Sequence, residues 1–377
     1  MNFELTDEQE LIRQTVRDFA VSRVAPVAEE LDREARFPYE LVAELAELGL
    51  MGLPIPEEYG GAGGDTVSYA IAIEELTRID SSVAITVAAH TSLGTMPIYL
   101  FGNEEQKQEW LPKLASGQGL AAFGLTEPDA GSDAGATRTK ARLDGGEWTI
   151  DGSKIFITNA GTDISVCVTI TALTGDGEIS NIIVPNGAPG YEISAPMKKL
   201  GWHASDTREL SFRGVKVPEG NLLGTRGRGF QQFMRILDGG RISVASMGVG
   251  LAQGAYDLAL QYAKERQQFG RPIADFQAIQ FQLADMATEI DAGRQLVYKA
   301  AWLKDQGRDF ALAAAQAKLY TGLLSNRVVN AALQIHGGYG FMEEFAISRL
   351  YRDQKILEIG EGTNEVQRMV IAKQLGL

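Results

Sequence analysis

The sequence predicts a mostly α-helical protein with one β domain in its middle, an α+β chain in the order helices, sheet, helices. Helical periodicity fills the first third, strand-like runs follow between about Ala121 and Gly229, and long Ala- and Leu-rich helical patterns return from Phe230. Because 377 residues exceed what one core usually supports, we expect three domains, at residues 1–120, 121–229 and 230–377.

The N-terminal helical domain is predicted from its caps and breakers. Thr6 and Gln9 have the spacing of a capping box before the first apolar helical face. A second helix follows in the sequence PYELVAELAELGL and should end at Gly49. After it comes a loop rich in Gly and Pro, and the helical period resumes near Thr66.

The middle domain is predicted from short apolar or alternating runs with turn residues between them. The runs are SVCVTITAL, NIIVPN, YEISAP and RELSFRGVKVP. In EWTIDGSKIFIT, the dipeptide Asp151-Gly152 separates two alternating segments, which predicts a β-hairpin with its turn at this dipeptide.

Composition and charge exclude several classes of function. The formal net charge of −14 argues against nucleic acid or an anionic membrane surface as a partner. The single cysteine, Cys167, lies in an apolar run and is expected to be a buried structural thiol. The N-terminus lacks an apolar segment and no run reaches 18 continuous apolar residues, so we expect a cytoplasmic protein without membrane insertion. The three histidines lack metal-ligand spacing, so no metal site is expected.

Several polar motifs allow both a chemical and a structural interpretation. Glu361 lies between two glycines, which suits a base that approaches a ligand but equally suits an acid before a helix capped by Thr363. Asp238 and Arg241 are three residues apart, the spacing of an intrahelical salt bridge. Arg266 lies close to an aromatic residue, which is typical of an anion-binding site but also of the solvated end of a helix.

Six motifs in a fixed order resemble those of the acyl-CoA dehydrogenase family, of the short- and medium-chain bacterial type, over essentially the whole chain. They are LTEPDAGSD, KIFITN, ERQQFGRPI, FQAIQFQLADM, QIHGGYGF and YRDQKILEIGEGTNEVQR. The resemblance implies an N-terminal helical domain, a middle β-barrel and a C-terminal four-helix bundle, assembled as a homotetramer. It also implies FAD as cofactor, oxidation of acyl-CoA to trans-2-enoyl-CoA in fatty acid β-oxidation, and electron transfer to an electron-transfer flavoprotein.

The same resemblance assigns roles to individual residues. Glu361 is the implied base, which removes the α-proton of the thioester while the flavin accepts hydride from the β-carbon. Cofactor contacts are implied for Phe123, Leu125, Thr126, Ser132, Phe156, Thr158, Arg266, Gln268, Phe269, Gln277, Gln334, Gly337, Gly338, Thr363 and Glu365, of which Arg266, Gln268 and Phe269 are expected to reach the FAD of the neighbouring subunit. Substrate contacts are implied for Ser132, Asp238, Arg241 and Gly362.

Alternative interpretations exist both within the family and outside it. A branch that includes isovaleryl-CoA dehydrogenases carries its base at the position of Gly240, but here Glu361 is present, which favours Glu361. An acyl-CoA oxidase uses the same base, yet peroxisomal-type oxidases generally carry a further C-terminal domain and this chain ends at Leu377. A non-catalytic flavin-binding scaffold has no need of Glu361, Asp238 and Arg241 together.

Overall fold

The computed structural model describes residues 4–377 and has the predicted order of helices, sheet and helices. The first helical region contains α1 (Asp7–Phe19), α2 (Ala28–Glu34), α3 (Tyr39–Glu47), α4 (Thr66–Ile79), α5 (Ser81–Ala89), α6 (Met96–Phe101) and α7 (Glu104–Ala115). The sheet contains β1 (Leu120–Gly124), β2 (Lys140–Asp144), β3 (Glu147–Thr158), β4 (Ser165–Leu173), β5 (Ile179–Pro185), β6 (Tyr191–Ile193), β7 (Thr207–Pro218) and β8 (Leu222–Leu223).

The last helical region begins with the longest helix of the described chain and includes a small two-stranded ribbon. Its elements are α8 (Gly229–Glu265), β9 (Gln267–Gln268), β10 (Arg271–Pro272), α9 (Gln277–Asp305), α10 (Ala311–His336), α11 (Ala346–Asp353) and α12 (Asn364–Gln374). α10 packs against α8, α9, α11 and α12, and so forms the centre of this helical region.

The predicted caps of the N-terminal helices are confirmed. The Gln9 amide nitrogen donates to Thr6 Oγ1 at 3.2 Å, and the Thr6 amide nitrogen donates to Gln9 Oε1 at 3.1 Å, which completes the capping box of α1. α3 ends before Gly49, whose φ of 73° lies in the left-handed region that favours glycine.

One helical run of the first region is long and apolar enough to cross a membrane. It comprises α5, the π-helical turn His90–Thr95 and α6, that is Ser81–Phe101, with a mean hydropathy of 1.3. In this structure most of this run is buried inside the protein. Packing in the core therefore accounts for its apolar character.

The middle domain is a mixed sheet with the strand order β6-β7-β3-β2-β4-β5-β8. β1 lies parallel to β4, whereas β3 and β7 form a long antiparallel pair. Within residues 4–377 no backbone pairing joins β6 to β8, so the domain expected as a β-barrel is a sheet that hydrogen bonds do not close.

The hairpin predicted at Asp151-Gly152 is wrong. β3 passes through this dipeptide without interruption, and the turn that joins β2 to β3 lies instead at Gly145 and Gly146. Gly152 has a φ of 148° and adjoins a shift of register against β7. A Cβ at this position would lie 2.5 Å from Thr139 Oγ1, so glycine is needed for a close approach within a strand rather than for a turn.

The two helical regions share one hydrophobic core, and the sheet has a core of its own. α8 approaches α4 at backbone distance, because a Cβ at Gly250 would lie 2.3 Å from the Glu74 carbonyl oxygen and one at Gly254 would lie 2.1 Å from that of Arg78. The first and last thirds of the chain thus form one helical body, against which the sheet lies.

Candidate active site

A cavity of about 940 Å³ lies between the sheet and the helical body. Its wall combines the end of β1 and the loop after it, the end of β3, the loop 197–202, α8 and the segment that precedes α12. The predicted site residues that line it are Phe123, Leu125, Thr126, Ser132, Phe156, Thr158, Arg241, Glu361, Gly362 and Thr363. The structure therefore brings together residues that are far apart in the sequence.

Glu361 reaches this cavity from a short left-handed segment. Its φ is 52° and that of Gly362 is 93°, and α12 begins directly afterwards. Thr363 Oγ1 accepts from the Val366 amide nitrogen at 3.3 Å, so the predicted helix cap is confirmed alongside the candidate base. A Cβ at position 362 would lie 2.7 Å from Gln367 Nε2, which explains the glycine after the acid.

One oxygen of the Glu361 carboxylate is held away from water, while the residue as a whole is half-buried and borders the cavity. Its Oε2 atom is buried and, among the described residues, has no hydrogen-bond partner. It lies against the backbone of α8 at Gly240, where an added Cβ would be 2.2 Å from Oε2. Burial raises the pKa of Glu361 to about 7, although the charges of Lys318 and then Arg241 act in the opposite direction.

Arg241 and Asp238 form the intrahelical ion pair that their spacing predicts, through Nη1 and Oδ1. Arg241 is 1% exposed and lines the cavity, whereas Asp238 does not line it. Burial lowers the pKa of Arg241 below its usual value, although the charge of the neighbouring Asp238 acts in the opposite direction. Arg241 Nε is buried without a partner in the described chain, so the guanidinium keeps a donor for a ligand.

A buried ion pair holds the loop after β1 at the cavity wall. Lys154 Nζ donates to Glu127 Oε1 at 2.7 Å and to the Leu125 carbonyl oxygen at 3.2 Å. Burial raises the pKa of Glu127, but the Lys154 charge, together with hydrogen bonds from Lys154, Thr137 and the Arg138 amide, outweighs burial and lowers that pKa to about 2. The Ile155 amide nitrogen also donates to the Thr126 carbonyl oxygen at 2.8 Å. The lining residues of this loop are therefore tied to β3.

The remaining wall fits a large ligand with both a flat ring and polar atoms. Phe156 has a φ of 63° and is 61% exposed, so a strained backbone presents an aromatic ring at the cavity. Trp202, with a φ of 53°, lines the cavity and has a buried Nε1 without a partner in the described residues. Stacking surface and unused donors are the features that an isoalloxazine ring needs.

The other predicted cofactor residues lie elsewhere. Arg266, Gln268, Gly337 and Gly338 line a second depression of about 560 Å³ at the ends of α8 and α10. Phe269, Gln277, Gln334 and Glu365 are exposed and line neither cavity. Within one chain the predicted residues that line a cavity therefore form two separate groups, as expected if the second group serves a neighbouring subunit's cofactor.

Sequence reasoning missed several residues at the first cavity or directly behind it. Trp202 and Lys199 belong to a loop between β6 and β7 that carries no helix or strand signal. Lys318 and Gln367 lie behind Glu361, and their burial depends on helix packing rather than on a local pattern. For Trp202, the only local signal is the adjacent Gly201.

Family models match most of the chain. The acyl-CoA dehydrogenase N-terminal domain matches residues 6–118, the middle domain residues 122–215 and the C-terminal domain residues 227–376. The probable acyl-CoA dehydrogenase YngJ of Bacillus subtilis is 54% identical, and the alignment covers 100% of both chains. A short-chain specific acyl-CoA dehydrogenase of Clostridium acetobutylicum is 46% identical, again with 100% of both covered.

Solved structures are also similar over nearly the whole chain. Butyryl-CoA dehydrogenase from Megasphaera elsdenii has a TM-score of 0.97 and 44% identity, with 100% of both chains covered. A chain in a structure described as the electron transferring flavoprotein of Acidaminococcus fermentans also has a TM-score of 0.97 and 44% identity, covering 100% of this chain and 99% of that one. An acyl-CoA dehydrogenase of Bacillus anthracis complexed with FAD has a TM-score of 0.94 and 37% identity, covering 99% of this chain and 67% of that one.

The fold and the cavity, with its buried carboxylate and its exposed ring, define a flavoprotein oxidoreductase. The chain belongs to the acyl-CoA dehydrogenase family, and its cofactor is FAD.

Proposed function

We propose that this acyl-CoA dehydrogenase acts on short-chain saturated acyl-CoA thioesters and uses Glu361 as its catalytic base. The observation that carries this proposal is the Glu361 carboxylate, which borders the cavity with a buried, unpartnered Oε2 and a pKa raised to about 7. A base of near-neutral pKa is matched to removing a weakly acidic proton at neutral pH.

In the proposed reaction, Glu361 takes the proton from the α-carbon while a hydride leaves the β-carbon on the opposite face of the substrate. Bound FAD supplies the acceptor for that hydride. Among the hydrogen bonds of residues 4–377, none uses the Glu361 amide N–H, which can therefore donate to the thioester oxygen. Charge that develops on this oxygen as the proton leaves is then stabilised next to the base itself.

Acyl length, electron acceptor and metabolic role belong to the proposal. Relatives described as short-chain specific, and a neighbour described as butyryl-CoA dehydrogenase, support a short acyl group in fatty acid β-oxidation. The neighbour described as an electron transferring flavoprotein supports such a protein as the acceptor. The relatives do not favour the oxidase or the scaffold.

We also propose a homotetramer in the cytoplasm. Phe269 and Phe341 are 93% and 81% exposed, and large apolar side chains in such positions support contact with other subunits. The chain has a single, buried cysteine, Cys167, and thus no disulfide, which supports a reducing compartment.

The proposed base is tested by replacing its carboxylate with an amide. Glu361→Gln should keep FAD, since the amide is nearly isosteric, but should lose flavin reduction by on the order of 10³-fold or more. The measurement is anaerobic mixing with saturated acyl-CoA thioesters of increasing chain length, followed by flavin absorbance. The wild type should be reduced fastest by the short members.

Glu105→Gln, an exposed acid on α7, is the matched control and should reduce its flavin like the wild type. Near-normal reduction in Glu361→Gln would place the base elsewhere. Fastest reduction by long acyl chains would reject the short-chain assignment and leave the base unaffected.

A further inference from the structure

The backbone that carries Glu361 is held in place by two buried side chains. The Gly362 carbonyl oxygen accepts from Lys318 Nζ at 2.7 Å and from Gln367 Nε2 at 2.9 Å. Lys318 is 1% exposed and Gln367 is 0% exposed. A left-handed φ is intrinsically unfavourable for Glu361, and the glycine at position 362 can adopt many backbone conformations. Contacts from elsewhere in the fold must therefore fix the conformation of this segment.

The two donors come from different helices. Lys318 belongs to α10, and Gln367 belongs to α12, one turn after the helix begins. One helical turn beyond Lys318, a Cβ at Gly322 would lie 3.0 Å from the Leu357 carbonyl oxygen, so α10 passes close to the chain that leads to Glu361. The Gly362 carbonyl is thus fixed from two sides by elements of the core.

Lys318 differs from Gln367 because it brings a charge into the core. Its hydrogen bond to Gly362 is the only one that Nζ makes within the described chain, and no carboxylate of those residues lies within ion-pair distance. A buried ammonium without a paired carboxylate is costly, and packing alone does not require one. The ionisable groups around Lys318 must therefore explain why a charged side chain is buried here.

The ionisable groups that face this site come from several elements. They are Arg241 with its partner Asp238 on α8, Tyr69 on α4, Glu358 before the base, Glu361 itself and Glu365 on α12. Of the two cations beside Glu361, Lys318 lowers the pKa of the carboxyl more than Arg241 does. Burial in turn lowers the pKa of Lys318 to about 8, so the ammonium form predominates near neutral pH.

We propose that Lys318 is a positioning residue for the catalytic carboxylate. Together with Gln367 it fixes the Gly362 carbonyl and so the direction of the Glu361 side chain, and its charge, which Gln367 does not supply, favours the ionised carboxylate that can accept a proton. This inference rests on Glu361 as the base. It assigns two separable effects, one to the hydrogen bond and one to the charge.

Three variants separate these effects. Lys318→Met removes the hydrogen bond and the charge, and Lys318→Arg keeps the charge. Gln367→Met removes only neutral hydrogen bonds, to the carbonyl oxygens of Gly362 and Glu361. In Lys318→Met the acidic limb of the pH profile of flavin reduction should move to higher pH by about one unit, and the rate near neutral pH should fall roughly ten-fold. Gln367→Met should lower the plateau rate without moving the midpoint, and Lys318→Arg should restore the midpoint.

A second readout does not depend on turnover. Infrared difference spectra recorded against pH follow the carboxylic acid C=O band of Glu361, which is assigned by its absence in Glu361→Gln. The midpoint of this band should rise in Lys318→Met and stay unchanged in Gln367→Met. If Lys318→Met does not fold, Lys318→Gln, which retains a donor for the Gly362 carbonyl without the charge, is measured in the same way and should show the same rise.

The outcomes distinguish this inference from the proposed function. An unchanged midpoint in the uncharged Lys318 variants, with Glu361→Gln inactive, overturns the role of Lys318 and leaves Glu361 as the base. A midpoint shift of equal size in Gln367→Met would show that loosening of the segment, not the charge, is responsible, and would also overturn it. Activity retained by Glu361→Gln would instead reject the proposed base.

Discussion

Glu361 combines two unfavourable features that a surface carboxylate seldom has together. Its Oε2 is buried without a partner, and its backbone has a φ of 52°. Both conditions disfavour the folded state at neutral pH, the first through desolvation of the charge and the second through backbone strain. Such local costs are typical of residues whose chemistry needs them.

The raised pKa of Glu361 predicts a pH-dependent gain of stability in Glu361→Gln. The carboxyl has a pKa of about 7 when folded, against an ordinary glutamate pKa of 4.5, so the unfolded state loses its proton first as pH rises. Ionisation therefore destabilises the wild type between these two values, by up to about 3 kcal/mol above pH 7. The melting temperature of Glu361→Gln should exceed that of the wild type near pH 8, and the difference should shrink towards pH 5.

The matched control is again Glu105→Gln, whose melting temperature should follow the wild type at every pH because this side chain is exposed. A Glu361→Gln advantage that is the same at both ends of the pH range would show that the substitution acts through packing and not through ionisation.

At the scale of elements, the loop between β1 and β2 depends on a side chain from β3. Lys154 is 0% exposed and contacts both Glu127 and Thr137 of this loop, which also supplies Leu125 to the cavity. The same loop carries an exposed ion pair, Arg138 with Asp129, at 2.7 Å. The loop thus takes part in two ion pairs of similar length, a buried one to β3 and an exposed one within the loop.

Lys154→Met should destabilise this loop strongly, because it leaves the Glu127 carboxylate buried without its cation. We expect a loss of about 3–5 kcal/mol in the free energy of unfolding and weaker retention of FAD, measured by thermal unfolding and by the flavin content after gel filtration. Arg138→Ala is the matched control and should change neither, since an exposed pair contributes little. Equal effects of the two variants would contradict the assignment of the buried pair as the anchor.

The elements that the sequence predicted correctly are those with local signals. The Thr6 and Gln9 box and the Thr363 cap each involve residues three apart, and the structure contains both. The turn between β2 and β3 was misplaced because Asp151-Gly152 has the composition of a turn, while its conformation is set by Thr139 and by pairing with β7, which are not local.

The same distinction applies to the site. Glu361 was recognisable from its flanking glycines and from the family motif, both of which lie in one short stretch. Lys318 was not, because a lysine on an Ala-rich helix is ordinarily solvated, and only the packing of α10 against the base segment buries it. Trp202 likewise depends on a loop with no regular structure.

At the scale of the whole molecule, the two groups of predicted cofactor residues occupy separate surfaces of one chain. Glu361 and the first group of predicted residues surround the large cavity, whereas Arg266 and the glycines after α10 line the second depression. The Arg266 guanidinium lies 5.4 Å from the Tyr339 ring centroid and is not involved in an ion pair among the described residues. It thus remains available for an anion from another subunit.

Arg266→Ala should therefore weaken both FAD retention and subunit association. The loss of a charge-assisted contact to a diphosphate predicts weakening by roughly 1.5–3 kcal/mol, measured as flavin release on dilution together with molar mass by light scattering. Arg33→Ala, an exposed arginine on α2, should change neither quantity. A fully loaded, fully assembled Arg266→Ala protein would show that this depression does not serve the cofactor.

The contact between Glu361 and Gly240 limits how an enzyme of this family can exchange one base for another during evolution. Because a Cβ at position 240 would lie 2.2 Å from Glu361 Oε2, any side chain there displaces the carboxylate already present. A lineage that gains an acid at 240 first must carry two carboxylates in one space, where one stays protonated. A lineage that loses Glu361 first passes through a protein without the proposed base. Either order of change therefore disturbs the proposed base before the second acid can replace it.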